Sequence, residues 1–161
     1  MIAVRLSDTG PETIQQEDTF FPCDGARLKL RIVGSERGEL IRYERSDVAD
    51  ARCSRYEIAS TSDPQILKQI LSKTLGVIGM VKKTRSLYLI GQTRVHIDEV
   101  EGLGTFLELE VVLGEGQTEA EGRAVADNLM VEFGIDKRKL IPEAYIDLLN
   151  SAERRASGTR T

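Results

Sequence analysis

The segment Ala26-Arg-Leu-Lys-Leu-Arg-Ile32 alternates without exception between cationic and aliphatic side chains. Successive side chains of a strand point to opposite faces, so Arg27, Lys29 and Arg31 share one face while Leu28, Leu30 and Ile32 share the other. The same division recurs downstream. Lys83 and Arg85 fall together in residues 80–90; Arg94, His96 and Asp98 in residues 93–100, backed by Val95 and Ile97; Glu108 and Glu110 in residues 105–113, backed by Leu107, Leu109 and Val111. A turn over residues 34–38 leads to a strand over 40–45, whose Arg45 joins the basic group when similarly oriented, and residues 54–58 read as another strand.

Helices with apolar stripes are the natural cover for the aliphatic faces. Pro64 follows Ser62-Asp63 at a first helical position, and Ile66, Leu67, Ile70, Leu71 and Leu75 keep helical spacing up to Gly76. Thr118-Glu-Ala-Glu121 has capping-box spacing and opens a helix through Val125, Leu129 and Phe133 to Gly134. Pro142 starts a third, shorter helix carrying Tyr145, Leu148 and Leu149. Residues 1–16 read as a helix fragment ending in a turn at Gly10-Pro11. The expectation is therefore one α+β domain over residues 1–149, an antiparallel sheet with helices outside, followed by a polar, disordered tail over 150–161.

The charged faces then point away from the helices. In an open sheet they are solvated; in a closed one they line a lumen, where Lys29, Arg31, Arg45, Lys83, Arg85 and Arg94 cannot stay dry and unpaired. Such a lumen demands an anion, and polyphosphate fits, because arginine forks and lysine point charges both bind phosphate oxygens. Glu108 and Glu110, near Asp98 on the neighbouring strand, are hard oxygen ligands of the kind Mg²⁺ or Mn²⁺ accepts; the plainer alternative is ion pairing with the basic strands. His96, the one histidine, suits a hydrogen-bonded wall residue better than a proton-transfer group. Tyr43, Tyr56 and Tyr88 suit packing better than stacking on a nucleobase.

A net charge of −4 argues against a nucleic-acid-coating protein, and no apolar run is long enough to span a bilayer. Cys23 and Cys53 lack metal-ligand spacing and read as reduced thiols, which implies a cytoplasmic setting. A homo-oligomer is compatible with the sequence and not required by it.

The ordered combination of Gln16-Glu-Asp-Thr-Phe-Phe21, Ala26-Arg-Leu-Lys-Leu-Arg31, Tyr43-Glu-Arg45, Val81-Lys-Lys-Thr-Arg85, Arg94-Val-His-Ile-Asp98 and Phe106-Leu-Glu-Leu-Glu110 resembles the CYTH domain in its class IV adenylyl cyclase-like branch. The resemblance, which spans residues 6–149, implies an antiparallel barrel called the triphosphate tunnel. It implies a triphosphate substrate such as ATP, thiamine triphosphate or inorganic triphosphate, with Mg²⁺ or Mn²⁺ as cofactor. By that resemblance Lys29, Arg31, Arg45, Lys83, Arg85 and Arg94 grip phosphates, while Glu108, Glu110 and Asp98 hold metal. The family's opening Glu-x-Glu-x-Lys strand has no counterpart in residues 2–6, so the barrel is expected to lack one stave and the metal site part of its ligands. That leaves two outcomes open: an adenylyl cyclase or triphosphatase, or a polyphosphate-binding module without turnover.

Overall fold

A computed structural model describes residues 2–34, 37–44 and 55–158. Arg45 and Cys53 lie outside the described residues. The chain opens with a short helix, α1 (Ile2–Leu6), and then forms β1 (Thr9–Phe21), β2 (Arg27–Val33), β3 (Arg37–Glu44) and β4 (Arg55–Thr61). Helix α2 (Pro64–Leu75) crosses to β5 (Gly79–Ile90), β6 (Thr93–Val100) and β7 (Gly104–Val111), and α3 (Glu119–Phe133) and α4 (Tyr145–Gly158) complete the fold. The seven strands form one sheet in the order β4-β3-β2-β1-β5-β6-β7, every neighbouring pair antiparallel. Among the described residues the sheet is not closed: β4 and β7 are its edges.

Two segments differ from expectation. Of residues 1–16, expected as a helix fragment followed by a turn, only Ile2–Leu6 is helical; Thr9–Phe21 is instead the longest strand of the sheet, bonded to β2 on one side and β5 on the other. Residues 150–158, expected as a disordered tail, continue α4. Ala152, Glu153, Arg154, Arg155 and Ala156 are strong helix formers, and the segment needs little packing to stay helical once Tyr145–Asn150 is docked.

One face of the sheet is backed by helices. Phe21, Leu30 and Ile32 are buried against Leu67 and Leu71 of α2, and Tyr88 and Val95 against Ala3 of α1 and Phe133 of α3. Pro64 starts α2 although Asp63 makes no capping hydrogen bond, whereas the capping box of α3 is complete, with Thr118 and Glu121 satisfying each other's backbone donors. Gly134 ends α3 in the left-handed region at φ 66°, where glycine carries no Cβ penalty. Tyr88 therefore packs as expected.

The opposite face carries the charges. Its end nearest the β1–β2 turn is covered by α4, where Ala144, Tyr145, Ile146 and Leu149 pack against Phe20, Val81, Val100 and Phe106.

Candidate functional site

Register decides which side chains meet. Asp18 pairs with Arg31 on β2, Phe20 with Lys29, and Gln16 with Lys83 on β5; Arg85 pairs with Asp98 on β6, and His96 and Arg94 pair with Glu108 and Glu110 on β7. Paired residues share a face, so Asp18, Lys29, Arg31, Lys83, Arg85, Arg94, His96, Asp98, Glu108 and Glu110 all lie on the charged face.

Two clusters organise this face, each around a buried carboxylate. Lys29 Nζ donates to Asp18 Oδ2 at 2.7 Å, and Arg31 donates through Nε to Oδ1 at 2.9 Å and through Nη2 to Oδ2 at 3.1 Å. On the other side of β1, Lys83 Nζ donates to Asp98 Oδ2 at 2.8 Å, while Arg85 Nε and Nη2 reach Oδ1 and Oδ2 at 2.7 Å each. Tyr145 of α4 adds its hydroxyl to Asp98 Oδ2 at 3.2 Å. The Lys83 and Asp98 side chains are 4% and 0% exposed, and even Lys29 and Arg31 are only 12% and 20% exposed. These cations do not radiate into solvent.

Both carboxyls are held below the ordinary carboxylate range. Burial alone raises a carboxyl pKa, but Lys29 and Arg31 outweigh it at Asp18, and the hydrogen bond from Arg85 with the charge of Lys83 outweighs it at Asp98. The lysines move down. Burial lowers Lys29 to about 8, Asp18 restores part of the shift, and Arg31 and Lys83 push it down again. Burial and the Arg85 charge likewise lower Lys83. That Lys83 acts on Lys29, and Arg31 on Arg85, means the clusters feel each other across β1.

Glu108 and Glu110 occupy the rim at β7, their side chains 50% and 37% exposed. Arg85 Nη2 donates to Glu108 Oε2 at 2.8 Å, and His96 Nδ1 lies 3.3 Å from the same oxygen. Burial tends to raise the Glu108 carboxyl, but the His96 hydrogen bond and Arg85 charge hold it well below the carboxylate range. Arg94 Nη1 approaches Glu110 Oε2 at 3.5 Å. His96, buried between Arg85 and the glutamates, is a wall residue of this rim.

The donor set separates the three expected metal ligands. Glu108 and Glu110 project from one strand with accessible carboxylates, a pair that fits a divalent ion whose shell is completed by water and phosphate oxygens. Asp98 does not fit: both of its oxygens are taken by Lys83, Arg85 and Tyr145, and it has no exposed surface. Among the described residues no group of three or more histidine, cysteine or acidic side chains is arranged to hold a metal.

Sequence reasoning places Lys29, Arg31, Lys83, Arg85 and Arg94 on one face, as the register does, but assigns no role in the site to Asp18, Gln16 or Tyr145. The i, i+2 relation of Gln16, Asp18 and Phe20 was the available signal. Tyr43, buried beside Lys29 at 5.6 Å and tilted against Tyr56 at 5.7 Å, lines the β3–β4 side of the face.

Among proteins of known sequence, the chain is 27% identical over 122 residues to "Putative adenylate cyclase MJ0240" of Methanocaldococcus jannaschii, covering 74% of this chain and 69% of that one. Among solved structures, the PH1012 protein from Pyrococcus horikoshii OT3 superposes with a TM-score of 0.78 at 22% identity, covering 87% of this chain and 85% of that chain. A "putative adenylate cyclase" from Vibrio parahaemolyticus superposes with a TM-score of 0.75 at 19% identity, covering 92% and 88%. At those identities the two structures speak for the fold. Residues 2–145 match the CYTH domain, and with its charged sheet face and outer helices the chain belongs to the CYTH domain family.

Proposed function

We propose that the charged face binds a triphosphate-bearing small molecule together with Mg²⁺ or Mn²⁺ and carries out phosphoryl-transfer chemistry on it. One observation carries this reading. Lys29, Arg31, Lys83 and Arg85 converge from β2 and β5 on two buried carboxylates, Asp18 and Asp98, with Glu39 opposite Arg31 and the half-exposed Glu108 as their further acidic neighbours. Cations held this close repel one another, Arg31 and Lys83 both lowering Lys29, and a polyanion with several oxygens answers both clusters at once.

In this reading Asp18 and Asp98 orient the four cations, and the cations fix the phosphates and stabilise charge as it builds on the phosphoryl oxygens. Glu108 and Glu110 would hold the divalent ion, which supplies charge neutralisation and polarisation of a phosphate oxygen when bound. Arg94, at the outer edge beside Glu110, is available to a terminal phosphate, and Arg45 is proposed for the same duty by family resemblance. The attacking oxygen forms a bond to phosphorus as the bond to the leaving phosphate oxygen breaks. With water as nucleophile the products of inorganic triphosphate are pyrophosphate and phosphate; with the ribose 3'-hydroxyl of ATP they are cyclic AMP and pyrophosphate.

A second reading, binding without turnover, draws on the full engagement of Asp98, which leaves Glu108 and Glu110 as the metal-facing carboxylates. One experiment separates the readings. The purified protein is incubated with ATP, thiamine triphosphate or inorganic triphosphate, with Mg²⁺ or Mn²⁺, and both its melting and the products are followed. Saturation at about 1,000 times the dissociation constant stabilises the fold by roughly 4 kcal/mol. Stabilisation with product supports the enzyme, stabilisation alone supports the binding module, and no stabilisation by any ligand refutes both.

A further inference from the structure

The polar side chains at the centre of the charged face are matched to one another, with one exception. Gln16 is 8% exposed, and its side-chain carbonyl oxygen has no hydrogen-bond partner among the described residues. It sits on β1, two residues beyond Asp18 on the side away from the α4 cover, directly across from Lys83 and next to the Arg31 strand. The donors nearest in register aim elsewhere, Lys83 Nζ toward Asp98 and Arg31 Nε and Nη2 toward Asp18, and none of their N–H groups reaches the Gln16 oxygen. Thr19 and Thr93 also bury hydroxyl oxygens without partners, but Thr19 faces the helix-backed side with Phe21, and Thr93 starts β6 beyond the charged clusters.

A buried carbonyl without a donor costs free energy that no hydrogen bond among the described residues returns. Such groups persist where a ligand completes them. The chemistry of the surroundings restricts that ligand. The neighbouring side chains are cations, which suit phosphate oxygens, and phosphate oxygens are acceptors that cannot satisfy a carbonyl. The partner of Gln16 must therefore be a donor that travels with the phosphates.

We propose that Gln16 is a ligand-binding residue whose carbonyl accepts a hydrogen bond from an O–H group carried by the bound triphosphate, either a nucleoside hydroxyl or a metal-bound water. The assignment rests on the triphosphate reading of this face. It makes Gln16 a selector among triphosphates rather than a further phosphate contact, because it discriminates by what accompanies the phosphates.

The test compares wild type with Gln16→Met, which keeps the side-chain length and removes the acceptor. Affinities are measured by titration calorimetry for inorganic triphosphate and for ATP, each with and without Mg²⁺. A nucleoside hydroxyl as donor predicts about tenfold weaker ATP binding without metal and unchanged binding of metal-free inorganic triphosphate. A metal-bound water as donor predicts a similar loss for both ligands, confined to the arms containing Mg²⁺. Equal affinities of wild type and variant in all four arms overturn the assignment. So does an equal loss in all four, metal-free inorganic triphosphate included, since that is what a structural role or an amide N–H turned toward phosphate produces. If wild type binds neither ligand, the triphosphate reading itself fails and the assignment with it, whereas unchanged binding by the variant removes the Gln16 assignment alone.

Discussion

Raising the pH from 7 to 9 should weaken triphosphate binding through the deprotonation of Lys29. Its environment is unusual for a lysine: Asp18 is its hydrogen-bond partner, Arg31 and Lys83 repel it, and the rings of Phe20 and Tyr43 lie 5.7 and 5.6 Å from its ammonium. Burial first, and then the neighbouring cations, bring its pKa from 10.5 to about 8. The free protein thus carries the Lys29 charge about 90% of the time at pH 7 and about 10% at pH 9, where an ordinary lysine stays almost fully charged. In the proposed complex the triphosphate brings negative charge beside the ammonium and returns the group toward its ordinary value. Binding then takes up a proton above pH 8, and the affinity falls by about tenfold between pH 7 and pH 9. The ligand-free fold responds in the opposite sense. Because the unfolded chain holds this proton up to about 10.5 and the folded chain releases it near 8, the Lys29 contribution to stability improves as pH rises through that window. Calorimetric titration of inorganic triphosphate into wild type and Lys29→Arg at intervals across this range is the assay. Arginine stays charged, so the variant should lose the part of the pH dependence that belongs to position 29, while any part owed to Lys83 remains in both. Parallel profiles for the two proteins would refute the reasoning.

Lys83→Ala should weaken triphosphate binding about ten- to a hundredfold with or without metal, whereas Glu110→Ala should act mainly on the Mg²⁺-dependent part, both read by titration calorimetry. Asp98→Asn should cost about 3–5 kcal/mol in urea unfolding, because Lys83 and Arg85 lose the anion that both are built around. Asp18 is held below its ordinary value of 3.8, so its contribution to stability is complete above about pH 4 and lost as pH falls below; Asp18→Asn should flatten acid unfolding curves in that window. Gly38→Ala should cost about 1–3 kcal/mol in the same unfolding assay, since an added Cβ would stand 2.5 Å from Pro64 Cβ and 2.8 Å from Thr61 Cγ2.

Strands whose two faces differ in chemistry were legible before any coordinates. The β2, β5, β6 and β7 segments announce themselves by period-two alternation, and the same alternation identifies which charges share a face. β1 was not legible for the complementary reason. Its helix-backed side carries Glu17 and Thr19 as well as Phe21, with Glu17 ion-paired to Lys68 of α2 and Lys82 of β5, so the aliphatic half of the pattern is missing. A polar strand of this kind is held by its neighbours, β2 and β5, and no local property reports that. The loss of β1 hid Asp18, the counter-ion of Lys29 and Arg31. Tyr145 was read as helix packing, which it is through Phe106, with ring centroids 4.9 Å apart; its hydroxyl contact with Asp98 depends on how α4 docks, which residue spacing does not encode. The metal assignment to Asp98 followed from proximity along adjacent strands. Spacing conveys nearness but not that Lys83 and Arg85 had already claimed both oxygens.

Strand β1 is the spine of a book whose two leaves are β2–β4 and β5–β7. Helix α2 is bound to one leaf and its spine, α3 to the other leaf, and each leaf carries its own half of the cationic grip. Helix α4 is the clasp of that book: Asp147 holds Arg27 on one leaf at 2.8 Å while Ile146 and Leu149 pack with Val81 and Val100 on the other, so the spacing of the two halves of the grip is set from one end of the spine.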